Sequence, residues 1–326
     1  MKRKDVGSLE VLNRKAVENA YGLEDLDWSR PVDRSKLWSP ERISPLYHLA
    51  SYAKLTTREK TRYNQLFAMG VCEQFIWLEE HLLVNTLRKV LSGANPPPPL
   101  REALGHFIEE EIKHTRMFWR MLEKAEPAWY PSRKFKLYSI SFLQQRVLDL
   151  VLGFPNLFLI WIWTAIFFEE RTVDYCRNYQ AACKADPDSI DPTFTMLHEY
   201  HFKDESRHYQ LDQHLLTWIY DPQPGWKKKL AAGMFYRLMR SYVFPHRTSL
   251  RVLEIMAAEF PRLSAEILPA LKSELPHLGQ SRSFHQAAFS RNAVPKTMAL
   301  FAEYPELDVL WPLFLEVTKA EARSGP

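Results

Sequence analysis

Glycine is scarce in this chain, ten in 326 residues, and no run of alternating apolar and polar residues is bounded by hairpin signals. A sheet-rich fold is thereby excluded, and helical periodicity nearly everywhere makes an all-α fold the expectation. Cysteine is almost missing too. Cys72, Cys176 and Cys183 have no Cys-x-x-Cys spacing and cannot all pair, which excludes a disulfide framework and suits a reducing compartment. The start, MKRKDVGSLEVLNRK, is basic but lacks the apolar stretch and small-residue cleavage site of a secretory signal, so a cytoplasmic location is expected. Neither sign of charge dominates: 43 Lys and Arg stand against 39 Asp and Glu, spread along the chain. No basic stripe is left to bind nucleic acid.

Long apolar runs are equally rare. One, LVLGFPNLFLIWIWTAIFF from Leu150 to Phe168, is nearly long enough to cross a bilayer. Asp149 precedes it and Pro155-Asn156 interrupt it, and a helix packed on all sides would read the same way. Buried core, with no membrane, is the expectation.

What the chain does have is helical punctuation. An N-terminal arm through about residue 40 precedes a single helical domain over 41–326. Thr56-x-x-Glu59 is a capping box that opens a helix towards Val90, which SGANPPPP stops. A second helix is expected over Leu100 to about Lys124. A third region covers 140–178, broken near Gly153-Phe154-Pro155, and a fourth helix runs over about 192–220. The bundle thus spans about 56–220. Further stretches around 225–243, 248–259 and 262–274, punctuated by prolines, read as covering helices within 225–326.

Two of the four main helices carry Glu-x-x-His: Glu111-Ile112-Lys113-His114 and Glu205-Ser206-Arg207-His208. Residues three apart share a helix face, so a carboxylate and an imidazole can converge on one metal pair. A single match would carry little weight, and Glu274-Leu275-Pro276-His277 is a decoy whose proline argues against a helical pair. The order adds weight. Each true match follows a helix bearing a Glu-Glu pair, in FIWLEEHLL and AIFFEERTV, where acids deep in apolar sequence are costly unless something binds them. Ile76, Glu80, Leu83 and Leu87 form one stripe, and Ile166, Glu170 and Val173 another, which selects Glu80 and Glu170. His201 lies four residues before Glu205 on the face of His208 and is a seventh candidate; a core histidine satisfied by a hydrogen bond is the bland alternative. His198 and His214 are read as structural. Glu110 and Asp204, each just ahead of a Glu-x-x-His, are candidates to orient an imidazole, with solvated helix acids as the alternative. A pocket beside the metals would draw on Phe75, Trp161, Trp163 and Phe167, although such aromatic stripes are more often core.

Over roughly residues 45 to 215, the order Glu…Glu-x-x-His…Glu…His-x-x-x-Glu-x-x-His resembles the AurF-like diiron N-oxygenases, the p-aminobenzoate N-oxygenase type within the ferritin-like superfamily; LTTREKTRYNQL is also similar. The resemblance implies a ferritin-like four-helix bundle. It implies Glu80, Glu111, His114, Glu170, His201, Glu205 and His208 as ligands of two iron ions cycling between Fe2+ and Fe3+. It further implies a small-molecule amine oxidised by O2 to hydroxylamine, nitroso or nitro product, an external electron donor, and a homodimer. Manganese suits the same oxygen and nitrogen donors. Two other readings stand beside this one: a diiron desaturase or C-hydroxylase of an acyl or amino-acid substrate, and a ferritin-like iron-handling protein. His201 separates the N-oxygenase type from the six-ligand desaturase type.

Overall fold

Helix caps and proline stops divide the chain into its elements, seen in a computed structural model that describes Gly7–Arg323. The helices are α1 (Leu9–Glu18), α2 (Thr57–Ile76), α3 (Asn85–Gly93), α4 (Pro98–Ala125), α5 (Phe142–Gly153), α6 (Ile160–Ala185), α7 (Pro192–Leu215), α8 (Gly225–Val243), α9 (His246–Glu259), α10 (Leu268–Glu274), α11 (Arg282–Phe289), α12 (Pro295–Glu303) and α13 (Lys319–Arg323). Wider π-type turns over Trp77–Val84 join α2 to α3 without a break, and similar turns over Leu216–Tyr220 extend α7. Among the described residues there is no strand, only an isolated bridge between Leu37 and Ile190.

Local chemistry sets the main boundaries. Thr56 and Glu59 cap α2 reciprocally: the Glu59 N–H donates to Thr56 Oγ1 at 3.3 Å and the Thr56 N–H to Glu59 Oε2 at 2.7 Å. Asp191 caps α7 by accepting from the N–H groups of Thr193 and Phe194 at 2.8 and 3.0 Å, while its other oxygen accepts from Asp33 N at 2.7 Å. Pro98 and Pro192 occupy first turns, where a missing N–H costs nothing.

The fold is all-α, with a ferritin-like bundle of α2–α3, α4, α6 and α7. α2 packs along α4 and α6 along α7; α4 packs on α7, and the π-type segment, against both α4 and α6, closes the ring. The apolar run from Leu150 is broken as its proline requires: α5 ends at Gly153, α6 starts at Ile160, and Trp161 Nε1 donates to the Pro155 carbonyl at 3.1 Å between them. Trp161, Trp163, Ile166 and Phe167 are buried, and no helix among the described residues is long and apolar enough to cross a membrane.

The arm before residue 40 is more ordered than its sequence suggests. Residues 9–18 form α1, which packs on α4 and α7 through buried Leu12 and Ala16, a pair one turn apart that is too short to register as a periodic pattern. Asn13 Nδ2 ties it to the Pro99 carbonyl at 3.0 Å. The decoy glutamate, Glu274, serves the fold: its carboxylate accepts from Ser51 N and Ser51 Oγ at 3.0 and 2.6 Å.

A second buried acid fastens the loop after α4. Glu73 accepts from Tyr130 Oη at 2.7 Å and from the N–H groups of Lys136, Leu137 and Tyr138 at 2.7, 2.9 and 2.6 Å. Glu73→Ala leaves these donors buried and unmet, so we expect a loss of roughly 3 kcal/mol in denaturant unfolding, with Glu73→Gln losing less. Equal stability of both variants and the wild type would contradict this role.

Candidate metal centre

Seven side chains from the four bundle helices meet in the core: Glu79 from the π-type segment, Glu111 and His114 from α4, Glu169 from α6, and His201, Glu205 and His208 from α7. All are buried, at most 4% exposed. His201 Nε2 lies 2.6 Å from Glu205 Oε1 and 3.2 Å from Glu79 Oε1. His208 Nδ1 lies 2.9 Å from Glu111 Oε1, 3.5 Å from Glu205 Oε2 and 3.6 Å from Glu169 Oε2. His114 Nδ1 is 3.5 Å from Glu205 Oε1 and 3.8 Å from Glu111 Oε1. Two overlapping groups have donor atoms close enough to share an ion: Glu111, His114, Glu205 and His208, and Glu79, His114 and His201.

The outer nitrogens of two imidazoles are held by acids, and the holding is crossed. His114 of α4 is tied through Nε2 to Asp204 of α7 at 3.0 Å, while His208 of α7 is tied through Nε2 to Glu110 of α4 at 2.8 Å. Both rings therefore turn Nδ1 inward, the arrangement by which a carboxylate fixes a ligating histidine. These outer acids are charge-matched. Arg207 reaches both Glu110 and Asp204, and Lys113 Nζ reaches Asp204 at 2.8 Å. Phe107 stacks on His208 at 4.1 Å between centroids, and Phe75 and Phe118 flank His201 at 5.0 and 4.9 Å.

The inner acids have no such match. Among the described residues Glu79, Glu111, Glu169 and Glu205 meet no lysine or arginine, and buried atoms of the cluster lack hydrogen-bond partners: Glu79 Oε2, both Glu111 oxygens, Glu169 Oε2, Glu205 Oε1 and the Nδ1 atoms of His114, His201 and His208. Glu111 Oε1, Glu169 Oε2, Glu205 Oε1, His114 Nδ1 and His208 Nδ1 lie at ion-pair distance from one another without aligning as hydrogen bonds, which is what donors aimed at a common third point produce. Four carboxylates against two divalent cations also balance in charge. Burial, then the neighbouring Glu111 and Glu205 charges, pushes Glu79 well above the usual carboxylate range. Burial and Glu205 do the same to Glu169. Glu205 is held well below that range; burial opposes this, but His201, Glu169 and His208 outweigh it. His208, despite burial, is held well above the usual histidine range by Glu205 and the carboxylates of Glu110, Glu111 and Glu169.

Of the residues expected from sequence, Glu111, His114, His201, Glu205 and His208 are brought together here. Glu80 and Glu170 are not. Glu80 is exposed on the outer face of its helix. Glu170 is buried but turned towards α12, where its oxygens accept from the N–H groups of Lys296 and Thr297 at 2.9 and 2.6 Å. The preceding residue of each pair faces the cluster instead. Around Glu79 the reason is the π-type turn, which adds to the turn length and shifts the stripe that an α-helical period assigned to Glu80. On α6 both acids are buried, so burial periodicity could not choose between them.

Residues 3–265 match the family described as P-aminobenzoate N-oxygenase AurF. The chain belongs to this family. No curated protein matches it. Membership of the AurF family makes the chain an oxygenase-family enzyme, and the buried carboxylate–histidine cluster is where it could hold metal.

Three further residues complete the surroundings in this AurF-family chain. Asp212, one turn beyond His208, is buried, and its carboxyl is pushed well above the usual range, chiefly by burial, with the Glu111 and Glu205 charges adding to it. Its four-residue spacing from His208 was the available signal. His198 is buried with neither ring nitrogen partnered, and burial holds it well below the usual histidine range. Tyr179 and Tyr175 enclose it at 4.4 and 5.0 Å between centroids. His214, by contrast, meets the Gly7 carbonyl through Nε2 at 2.9 Å.

Proposed function

We propose that this chain is a diiron oxygenase that oxidises the nitrogen of a small, largely apolar amine. The convergence of seven buried donor side chains, four of them carboxylates that meet no lysine or arginine among the described residues, carries the reading, and the family supports it. Glu79, Glu111, His114, Glu169, His201, Glu205 and His208 would hold the two ions; Glu205 turns Oε1 towards His201 and Oε2 towards His208, and Glu111 lies between His114 and His208. Iron suits these oxygen and nitrogen donors and supplies the redox chemistry that activates dioxygen, while manganese meets the same donor requirements.

The protein's own part is to shape the chamber. Beside the cluster lies a cavity of about 110 Å³ lined by Phe67, Val71, Phe75, Phe168, Tyr175 and Phe289. Phe75 forms the partition, since it lines the cavity and also touches the His201 ring. Trp161, Trp163 and Phe167 do not line it; they pack in the core, Trp163 against Tyr220 and Tyr304. Among the described residues Arg171 is the one ionic residue in the lining, and Asp174 pairs with it, so these walls offer no spare charge to a carboxylate or phosphate. Walls of this kind favour an aryl or alkyl amine and keep water from competing. Asp204 and Glu110 keep two imidazoles oriented, and Asp212, its carboxyl raised by burial, lies one turn beyond His208.

His201 lies within the cluster, which favours N-oxygenation over the six-ligand desaturase or C-hydroxylase. The test is to load the chain anaerobically with ferrous iron, then add oxygen, a reductant and an arylamine. We expect about two irons per chain and product with oxygen on nitrogen, identified by mass spectrometry. Oxygen on carbon, a new double bond, or no stoichiometric metal would overturn the proposal.

A further inference from the structure

Oxygenation of an amine consumes electrons that the chain does not supply. In the first step R-NH2, O2, two electrons and two protons give R-NHOH and water; one oxygen atom forms the N–O bond and the other leaves as water. The electrons must reach a cluster that is almost wholly buried, so where a donor can approach it matters.

The outer wall of the π-type segment and α4 answers that question. A wide open groove of about 810 Å³ runs there, and its lining includes Glu80, Ile112 and Thr115. These are the immediate chain neighbours of Glu79, Glu111 and His114, so the groove floor is the far side of the same helix turns that carry three cluster residues. No other described groove or cavity has this relation to both α4 and the π-type segment. Its rim is basic. Arg88 and Arg116 are exposed and make no ion pair among the described residues, Arg133 pairs with Glu123 at 2.7 Å, and Glu80 is the single acid in the lining. Its floor is apolar, where Trp119 and Phe135 stack at 5.5 Å between centroids.

We propose that this groove is the docking site for an acidic electron-carrier protein, which delivers electrons one at a time through the α4 and π-type turns to the centre. The inference rests on the oxygenase reading for its purpose but not for its test. A basic rim steers an acidic partner by long-range attraction, and an apolar centre suits the small, short-lived interface of electron transfer. A neutral, apolar substrate gains nothing from such a rim, and the cavity behind Phe75 already suits it.

The probe is a plant-type ferredoxin, small, acidic and reducing. Binding is measured first, by calorimetry on the chelator-treated chain at low salt, wild type against Arg88→Glu/Arg116→Glu. Both arginines are exposed and outside the cluster, so the fold is expected to survive, with circular dichroism as the check. The expected result is saturable binding that weakens at least about tenfold in the double variant and also weakens as salt rises. Reduction of the ferric-loaded chain is then followed by stopped flow. Ferredoxin should reduce the variant at least about tenfold more slowly than the wild type, while dithionite, which needs no docking, reduces both equally. Equal ferredoxin affinities or rates, salt-independent binding, or no binding by the wild type would overturn the proposal. Binding of ATP in the groove without ferredoxin binding would reassign it to a small anion. Failure of the chain to hold iron would defeat the oxygenase reading and leave the binding result to be judged alone.

Discussion

Glu79→Ala is expected to lose iron affinity on the order of 100-fold, whereas Glu80→Ala, one residue away, retains its iron within about twofold. The contrast follows from the π-type turn, which buries Glu79 against His201 and leaves Glu80 in solvent. The second pair should split differently. Glu169→Ala removes a cluster oxygen and should also lose iron. Glu170→Ala should keep it but lose about 1–2 kcal/mol of stability, because the N–H groups of Lys296 and Thr297 at the start of α12 would have no acceptor. Metal analysis after desalting and thermal denaturation of the four variants separate these outcomes. Loss of iron in Glu80→Ala with retention in Glu79→Ala would refute the geometry.

That contrast also marks how far the sequence could be read. The bundle helices were legible because caps and proline stops act locally: Thr56-x-x-Glu59, the start near Pro192 and the prolines after Gly93 set boundaries close to those observed. The two Glu-x-x-His pairs and His201 were legible because α4 and α7 are regular through the site, so spacing converts directly into a shared face. Glu79 was not, because a wider helical turn is invisible to an analysis that assumes one period. Glu169 was not, because its neighbour's partner lies 126 residues away in the chain. Glu110 and Asp204 were singled out, but their crossing between helices depends on how α4 packs on α7. Helices α11 to α13 are short, and their packing on α6, α8 and one another emerges only from tertiary contacts.

Chelator-treated protein is expected to lose stability as pH rises above neutrality, and added metal to remove most of that loss. Burial, chiefly, raises Glu79, Glu169 and Asp212 well above their usual values in the folded state, and His208 is also raised. A group raised on folding contributes fully below its unfolded pKa, and that contribution disappears as pH climbs through its folded value. Glu205, Asp204 and Glu110 are lowered, so their contributions are lost only in acid. The buried His198 and His201 are also lowered, and what they regain as pH rises is complete once the unfolded histidines are neutral, so the raised groups set the trend above about pH 7. The melting temperature of the metal-free chain should therefore fall by about 5 °C between roughly pH 7 and pH 9. Divalent metal competes with protons for these raised carboxyls, so loading should release protons and bind more tightly as pH rises. At a thousandfold excess over its dissociation constant it adds about 4 kcal/mol. Calorimetric melts of chelated and iron-loaded protein across that range decide the matter. Parallel curves for the two forms, or a metal-free chain that gains stability with rising pH, would mean that the four inner acids are not held together as unpaired carboxyls awaiting cations.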